Sequence, residues 1–573
     1  MKLRWFPKFP RNILEKSGQS YPKSPTRKNL SMKWVDNMNR SKEWISQIKI
    51  LYKHYLVTSA ILRKVLKDPL TLDESRSILR NRIENRKDNF LESVEKTIFL
   101  YPGSPYKILL ERAGYNFEDV RRSVEEIGIE ATLKVLCEKG VYIDILEFKG
   151  KKEVIRGKDI YRFQEKDFSN PLLSGGLKTQ SGGTRGPGVT MMVPLEYIKE
   201  HNPYNVVAAA ECGITEKPVI IWLPILPAGE GLFFNLRFTA MGNPPVKWFS
   251  QVDERYIRPS TLDRLKTLSS VWMARFYGKK MPSPEFVSIR DTNKIAQWMS
   301  SNLNGGMGFS IVTYASSALR LVMEAKRAGL ILGESVFWLM GEPLTEKIYE
   351  ELKDYGCKAF SLYGCNELMI IGQGCARPSK PDDMHFLKDK LAVIQYSRKV
   401  AHADQCVDAF LFTTILKSSP KIFLNTETGD YGIVEKIHCG CGFEEIGFVE
   451  HIHTVRSFEK LTAEGATFIG SDLIPLVQHT LPMAFGGNAT DYQFLEEADD
   501  EGIPRLFLLV SPEIVDIDHE KIKRMVYKAL TSGEYSHIIS TSYWDQADTL
   551  RIKRMNPIPT LRGKIIPLHI RRN

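Results

Sequence analysis

Ser335-Val-Phe-Trp-Leu-Met-Gly-Glu-Pro-Leu-Thr-Glu-Lys-Ile-Tyr-Glu-Glu-Leu-Lys-Asp-Tyr-Gly-Cys-Lys-Ala-Phe-Ser-Leu362 reads as strand, turn, helix, strand. Residues 335–340 are an apolar run of strand length, 345–355 have helical spacing, and 359–362 return to a strand-like run. The same alternation extends outward, with strand-like runs at 219–223 and 409–414 and a helix at 316–328. Strands alternating with helices over several hundred residues predict an α/β fold with a doubly wound core. After His453 the pattern changes to shorter units with an acidic loop at 496–501, which predicts a smaller α+β C-terminal domain. Upstream, Trp44, Ile48, Leu51, Tyr55, Ile61 and Leu62 recur near helical spacing, as does a run at 90–98. Tyr101-Pro-Gly-Ser-Pro105 breaks that region, and a helix is expected from Pro105 to Gly114. The expected organisation is a helical N-terminal extension over 1–100, a large domain over 101–455 and a small domain over 456–573. No internal repeat or low-complexity segment interrupts it.

Bulk properties bound the reading. A chain of 573 residues with 43% hydrophobic composition exceeds what one core accommodates, so two or three domains are expected. The longest apolar stretch, 219–234, is broken by Pro224 and Pro227 and carries Glu230, so no transmembrane helix is predicted. The first sixteen residues hold no apolar core of secretory type, and the 8 cysteines are too few for a disulfide scaffold. A reducing, cytoplasmic setting is the expectation. The net charge of +11 is concentrated: residues 1–50 hold 12 Lys or Arg against Glu15, Asp36 and Glu43. Aromatics interleave with that charge, a composition suited to an acidic partner, an anionic membrane surface or RNA, or to a solvated arm. The remainder of the chain is nearly neutral.

The first chemical signal is Leu177-Lys-Thr-Gln-Ser-Gly-Gly-Thr-Arg-Gly-Pro-Gly188. Glycines let successive backbone N–H groups converge on one anion, and hydroxyls add donors, so the segment suits a polyphosphate. It matches neither the P-loop nor the dinucleotide fingerprint.

Order along the chain sharpens this. Residues 179–187 resemble the phosphate loop of the adenylate-forming (acyl/aryl-CoA synthetase) superfamily. Four later segments resemble its other motifs in sequence: Met340-Gly-Glu-Pro-Leu-Thr345, Leu362-Tyr-Gly-Cys-Asn-Glu-Leu368, Thr428-Gly-Asp-Tyr431 and Pro559-Thr-Leu-Arg-Gly-Lys-Ile565. Tyr314-Ala-Ser-Ser317 and Cys439-Gly-Cys-Gly442 resemble the phenylacetate–CoA ligase-like branch and its deazaflavin-adenylating relatives. The likeness covers roughly residues 100–573.

The resemblance implies a large adenylation core, a smaller mobile C-terminal domain, and activation of a carboxylic acid by ATP to an acyl-AMP. Thr179, Ser181, Gly182, Gly183, Thr184 and Gly186 would cradle the phosphates. Gly341, Glu342 and Pro343 would lie against the adenine, and Tyr363 would stack on it, with Gly364 allowing close approach. Asp430 would accept from the ribose hydroxyls, and Arg456, at the start of the hinge, would bind ribose and phosphate. Glu367 would hold Mg²⁺, a hard cation that prefers carboxylate oxygen. Lys564 would reach the acid's carboxylate and the bridging phosphate oxygen. The loop departs from the family at Gly183, where a second hydroxyl is usual, at Arg185, where Gly is usual, and at Gly188, where many members carry Lys; Arg185 would replace that charge. Cys365-Asn366 stands where x-Thr is more frequent.

Cys439-Gly-Cys441 forms a knuckle whose glycines let two thiolates turn toward one ion, with Cys375 and His385 upstream. These four make a candidate tetrahedral structural zinc site, an arrangement similar to one in the branch named above; His402, Cys406 and His438 are alternative ligands. The acid is undetermined. Residues 222–234 with Phe238 and Trp248 are apolar enough for an aryl or medium acyl pocket, or for plain core. Coenzyme A, a carrier-protein thiol, a partner's cysteine or no acceptor all stay open, as does a homo-oligomer, and the basic arm would suit an acidic carrier protein. Beside the acid–thiol ligase stand an adenylyltransferase-like variant without thioester formation and a non-catalytic nucleotide-binding or scaffold descendant.

Overall fold

The computed structural model describes residue 59 and residues 69–573, apart from 174–176, 181–189, 194–195, 227, 252–260, 304–305, 400–405, 458–459, 464–465, 470–474, 516, 532–543, 560–564, 566 and 571–573. The helical spacing expected at 44–62 lies outside these residues.

The alternation read from the sequence builds half of one large sheet. Strands β3 (Val219–Trp222), β4 (Lys247–Ser250), β5 (Pro284–Phe286), β6 (Ser310–Tyr314), β7 (Val336–Met340) and β8 (Lys358–Cys365) are all parallel, in the order β8-β7-β6-β3-β4-β5. Every residue of β3 and β6 is buried, as expected when helices cover both faces of a parallel sheet. The helices that position the site are α1 (Leu72–Glu84), α2 (Glu196–Glu211), α3 (Glu230–Ala240), α4 (Ala315–Arg327) and α5 (Glu346–Asp354). The run at 90–98 is helical, and the helix Pro105–Arg112 starts with Pro at its first turn and is followed by Gly114 at φ 78°.

The other half of the sheet is antiparallel. Beyond β8 follow β9 (Met369–Gly374), β10 (Met384–Phe386), β14 (Glu450–Ser457), β13 (Thr426–Lys436), β12 (Cys406–Thr414) and β11 (Leu391–Lys399). Two hydrophobic cores, one on each face, lie against the parallel half, and a third packs the N-terminal helices of 86–138 on the antiparallel half. A smaller C-terminal sheet, β17-β16-β15-β18, comprises β15 (Tyr492–Ala498), β16 (Pro504–Val510), β17 (Leu550–Arg554) and β18 (Leu568–Ile570). It meets the large sheet through Ser288 Oγ, 2.9 Å from Gln546 Oε1, and through Arg290, which donates to the carbonyls of Asp545 and Gln546. A separate hairpin pairs β1 (Leu177–Gln180) with β2 (Thr190–Val193). No described helix is long and apolar enough to cross a membrane.

Candidate active site at the carboxyl ends of the parallel strands

In open α/β sheets, ligands bind outside the carboxyl ends of the parallel strands. Three segments singled out in the sequence stand there, at the ends of β6, β7 and β8. After β7 the chain turns at Gly341, φ 75°. Glu342 then accepts from Ser316 N (2.8 Å) and Ser316 Oγ (3.0 Å), so its carboxylate occupies the N-terminus of α4. The Gly-Glu-Pro turn is thereby tied to the Tyr-Ala-Ser-Ser segment. Thr345, which ends that turn, caps α5 by accepting from Ile348 N.

At the end of β8 the register with β9 shifts between Tyr363 and Gly364. A Cβ on Gly364 would stand 2.4 Å from the Met369 carbonyl oxygen, so only glycine fits this bulge. The Tyr363 hydroxyl, 67 residues away in sequence, donates to Asp430 Oδ2 at 2.9 Å. Burial, then the neighbouring Asp430 charge, hold the phenol well above its ordinary range, so it remains a neutral donor. Asp430 lies on β13 opposite Ser457, whose hydroxyl donates to the Gly429 carbonyl at 3.0 Å. Gly429 takes φ 83°, a conformation suited to glycine.

Glu367 sits on the turn between β8 and β9. Its Oε1 accepts from Lys149 Nζ at 2.6 Å, and Lys149 also lies 3.6 Å from Glu165, which in turn pairs with Lys421 at 3.5 Å. Burial opposes the Lys149 charge, but Glu367 and Glu165 outweigh it and hold the ammonium above its ordinary range. Lys149 was not among the residues expected here, because it is 218 positions from Glu367 and belongs to no motif. The Glu367 carboxylate offers hard oxygen of the kind Mg²⁺ takes.

Arg456, near the end of β14, donates to Asp382 Oδ2 at 3.2 Å and to the Val455 carbonyl at 2.8 Å. It also faces the C-terminal sheet: on β15, Glu496 is pushed up to about 7 by loss of solvent, with the Arg456 charge pulling the other way. Thr179 lies in β1, opposite Met191. Ser181, Gly182, Gly183, Thr184, Arg185 and Gly186, on the connection of this hairpin, lie outside the described residues, as does Lys564. The segment before Lys564 is fixed to the C-terminal sheet by Gln493, whose side chain accepts from Ile558 N (2.8 Å) and donates to Ile558 O (3.1 Å). Pro559 and Ile565 form a bridge around it.

At the opposite end of β9, Cys375, His385, Cys439 and Cys441 converge, with their ligand atoms all within 4.8 Å of one another. His385 Nε2 lies 3.0 Å from Cys441 Sγ and 3.8 Å from Cys439 Sγ. Its Nδ1 stands 2.9 Å from the Phe448 carbonyl, to which it donates, and this contact aims Nε2 at the sulfurs. Hydrogen bonding from Cys375, opposed by burial and reinforced by His385, holds the Cys441 thiol well below its ordinary range, while sharing that proton drives Cys375 up. Three sulfurs and an imidazole at these separations fit a four-coordinate metal of zinc type. Among the described residues the alternative ligands do not join: Cys406 is exposed on β12 and His438 Nδ1 pairs with Glu444 at 2.6 Å. His402 lies outside them. Beside the cluster, Asp383 and His451 form a buried pair at 2.6 Å.

The apolar stretch at 222–234 is largely core: Trp222, Trp248 and Leu232 are fully buried, and α3 is buried along nearly its whole length.

No protein-family model and no curated protein matches the chain. Among solved structures it is similar to a 2-hydroxyisobutyryl-CoA ligase in complex with 2-HIB-AMP and CoA, at 12% identity over 87% of this chain and 91% of that one, with a TM-score of 0.49. It is similar also to the amide bond synthetase McbA from Marinactinospora thermotolerans (10% identity, 89% and 98%, TM-score 0.29). A third is an acyl-CoA synthetase (AMP-forming)/AMP-acid ligase II-like protein from Dyadobacter fermentans (12% identity, 68% and 87%, TM-score 0.27). Likeness of this degree transfers no residue role, so the functional reading comes from this chain's own side chains.

Proposed function

We propose that this chain is an adenylate-forming ligase of the phenylacetate–CoA ligase-like branch, activating a carboxylic acid as an acyl-AMP and passing the acyl group to a thiol. The observation that carries the reading is the hydrogen bond from Tyr363 to Asp430 at the carboxyl ends of the parallel strands. It joins two segments, distant in sequence, that each resemble a nucleotide-binding motif of that superfamily, and a third, Gly341-Glu342-Pro343, ends the neighbouring strand.

In this reading a carboxylate oxygen attacks the α-phosphorus of ATP, the bond to the bridging oxygen breaks, and pyrophosphate leaves. The barrier is repulsion between anions, so catalysis consists of positioning and of cationic and N–H stabilisation. Asp430 accepts from the ribose hydroxyls, and Tyr363 both orients that carboxylate and offers a ring to the adenine. Arg456 binds ribose or phosphate, while the loop 179–187, with Arg185, takes the pyrophosphate. Glu367 would hold Mg²⁺, which neutralises phosphate charge when bound. Lys564, on a small domain over 456–573, bridges the acid and the phosphate of a nucleotide held by the large domain over 101–455. Coenzyme A is the thiol first in line as acceptor. Cys375, His385, Cys439 and Cys441 would hold a structural zinc that braces the far end of β9.

The test is exchange of labelled pyrophosphate into ATP with a panel of aryl and aliphatic acids, using the intact protein and Lys564→Ala. Acid-dependent exchange that falls in the variant is the expected result. A protein that binds no ATP contradicts the reading.

A further inference from the structure

Arg237 is an arginine without an anion. It lies on α3 with 2% of its surface exposed, and among the described residues it has neither a carboxylate partner nor a hydrogen bond. Its guanidinium meets only ring faces, Phe234 at 5.0 Å and Tyr197 at 5.8 Å, and its Nε is buried without an acceptor. Removing an arginine from water without a counter-charge is costly, and native interiors seldom leave such a donor unpaired.

A second unpaired donor stands beside it. His201, on α2, is fully buried, with Nδ1 3.3 Å from the Tyr197 hydroxyl and Nε2 without a partner. That hydroxyl already accepts from Lys390 Nζ (3.2 Å) and Ile370 N (3.4 Å), so its single proton goes to His201 Nδ1. The imidazole proton therefore sits on Nε2, a donor facing no acceptor. Burial, then the charges of Arg237, Lys390 and Arg82, keep the ring neutral, well below its ordinary titration range. Among the described residues neither buried carboxylate of this layer pairs with Arg237: Asp389 is engaged by Tyr204 (2.5 Å) and Arg82 (3.9 Å), and Glu230, two turns earlier on α3, has a buried oxygen without a partner of its own.

The position relative to the nucleotide turn is fixed by Lys390. Its ammonium donates to the carbonyls of Leu368 (3.1 Å) and Ile370 (2.8 Å), the residues that follow Glu367. Tyr197 thus stands between the segment that follows Glu367, through Ile370 N, and the Arg237 guanidinium, which lies 5.8 Å from its ring. Phe234 and the Phe238–Trp338 pair, with ring centroids 5.8 Å apart, supply apolar surface beside Arg237.

We propose that Arg237 and His201 bind the distal carboxylate of a dicarboxylic acid, whose other carboxylate is the one activated at the strand ends. A guanidinium fork matches a carboxylate in two parallel hydrogen bonds, His201 Nε2 adds a third donor, and the aromatic surface suits a methylene or aryl spacer. The proposal rests on the adenylation reading for the fate of the first carboxylate, but not for binding of the second.

Calorimetric titration of the intact protein separates the two. The probes are the matched pairs hexanoate and adipate, octanoate and suberate, and phenylacetate and 4-carboxyphenylacetate, with ATP titrated in parallel, on the wild type, Arg237→Met and Arg237→Lys. In the wild type at least one diacid binds roughly 100-fold more tightly than its monoacid, as expected where buried donors would otherwise stay unpaired. Arg237→Met abolishes that preference, Arg237→Lys keeps part of it, and ATP affinity is the same in all three. Without ligand Arg237→Met melts above the wild type, because an unpaired buried charge is gone. Equal affinity within every pair, or a preference that survives Arg237→Met, overturns the proposal. A diacid preference lost in Arg237→Met, in a protein that binds no ATP, supports the pocket and removes the adenylation reading; ATP binding without any diacid preference does the reverse.

Discussion

The Cys/His cluster at the far end of β9 and the α2–α3 layer behind its near end are both buried and polar, yet they keep opposite accounts of their hydrogen bonds. In the cluster, both nitrogens of His385 have partners, one a carbonyl and the other a pair of sulfurs, and the four ligand atoms close on one point. In the α2–α3 layer, Arg237 Nε, His201 Nε2 and a carboxylate oxygen of Glu230 are buried without partners. Protein interiors pair their polar atoms almost everywhere, so in the reading proposed above the first arrangement is a brace and the second is organised around something it receives. Strand β9, with Glu367 just before it and Cys375 just after, separates the two kinds of site.

The sharpest way to break this contrast is Cys441→Ser. If the cluster is a brace, removing one partner of a buried charged group lowers unfolding stability by about 3–5 kcal/mol. Urea unfolding of the purified protein, together with its metal content, checks this; an unchanged midpoint would mean that the cluster supports nothing.

Glu230 gives the next largest effect. Desolvation lifts its carboxyl up to about 7. A carboxyl raised by folding binds its proton more tightly in the folded state, so stability is greatest below its unfolded value, falls as pH rises toward 7, and is level above that. The total loss is about 3 kcal/mol at most. Glu230→Gln should flatten the curve of stability against pH and leave the variant more stable than the wild type at pH 8. A wild type whose stability does not fall between pH 5 and 7 would count against an unpaired carboxylate on α3.

Two smaller effects concern the nucleotide turn, where a satisfied pair must open to a ligand. Asp430→Asn should raise KM for ATP by roughly 30-fold, about 2 kcal/mol, since hydrogen bonds to charged groups contribute about that much. Tyr363→Phe leaves the carboxylate and removes only its orienting donor, so an increase of about fivefold, near 1 kcal/mol, is expected. Steady-state kinetics decide; a larger effect from Tyr363→Phe than from Asp430→Asn would reverse their roles.

The contrast also explains what could be read from the sequence. In the parallel half β3, β7 and β8 were legible because each is a short apolar run beside a helical period, whereas β5, Pro-Glu-Phe, is largely exposed and carries no such signal. In the antiparallel half the run at 409–414, within β12, was legible but its pairing was not, since the order β14-β13-β12-β11 is a matter of which strand meets which after the chain has turned back. That Cys375, His385, Cys439 and Cys441 converge was legible because thiol and imidazole side chains near a Gly-rich knuckle suggest one chemistry. Arg237 was not: an arginine within Leu-Phe-Phe-Asn-Leu-Arg-Phe is conspicuous only once every neighbour is seen to lack a carboxylate. Lys149 escaped for a related reason, since its partner Glu367 comes near only through folding. The stretch at 222–234, one apolar run to the eye, divides into the end of β3, a turn at Gly229 and the start of α3, with Trp222 and Leu232 fully buried.

The central claim, that a carboxylate oxygen attacks the α-phosphorus of ATP, is tested most directly by isotope transfer. The protein is incubated with ATP, an acid labelled with ¹⁸O in its carboxylates, and hydroxylamine as a trap, and AMP is examined by mass spectrometry. The account predicts one labelled oxygen in AMP and none in pyrophosphate. Label in inorganic phosphate with ADP as the nucleotide product would contradict it, because the attack would then have fallen on the γ-phosphorus.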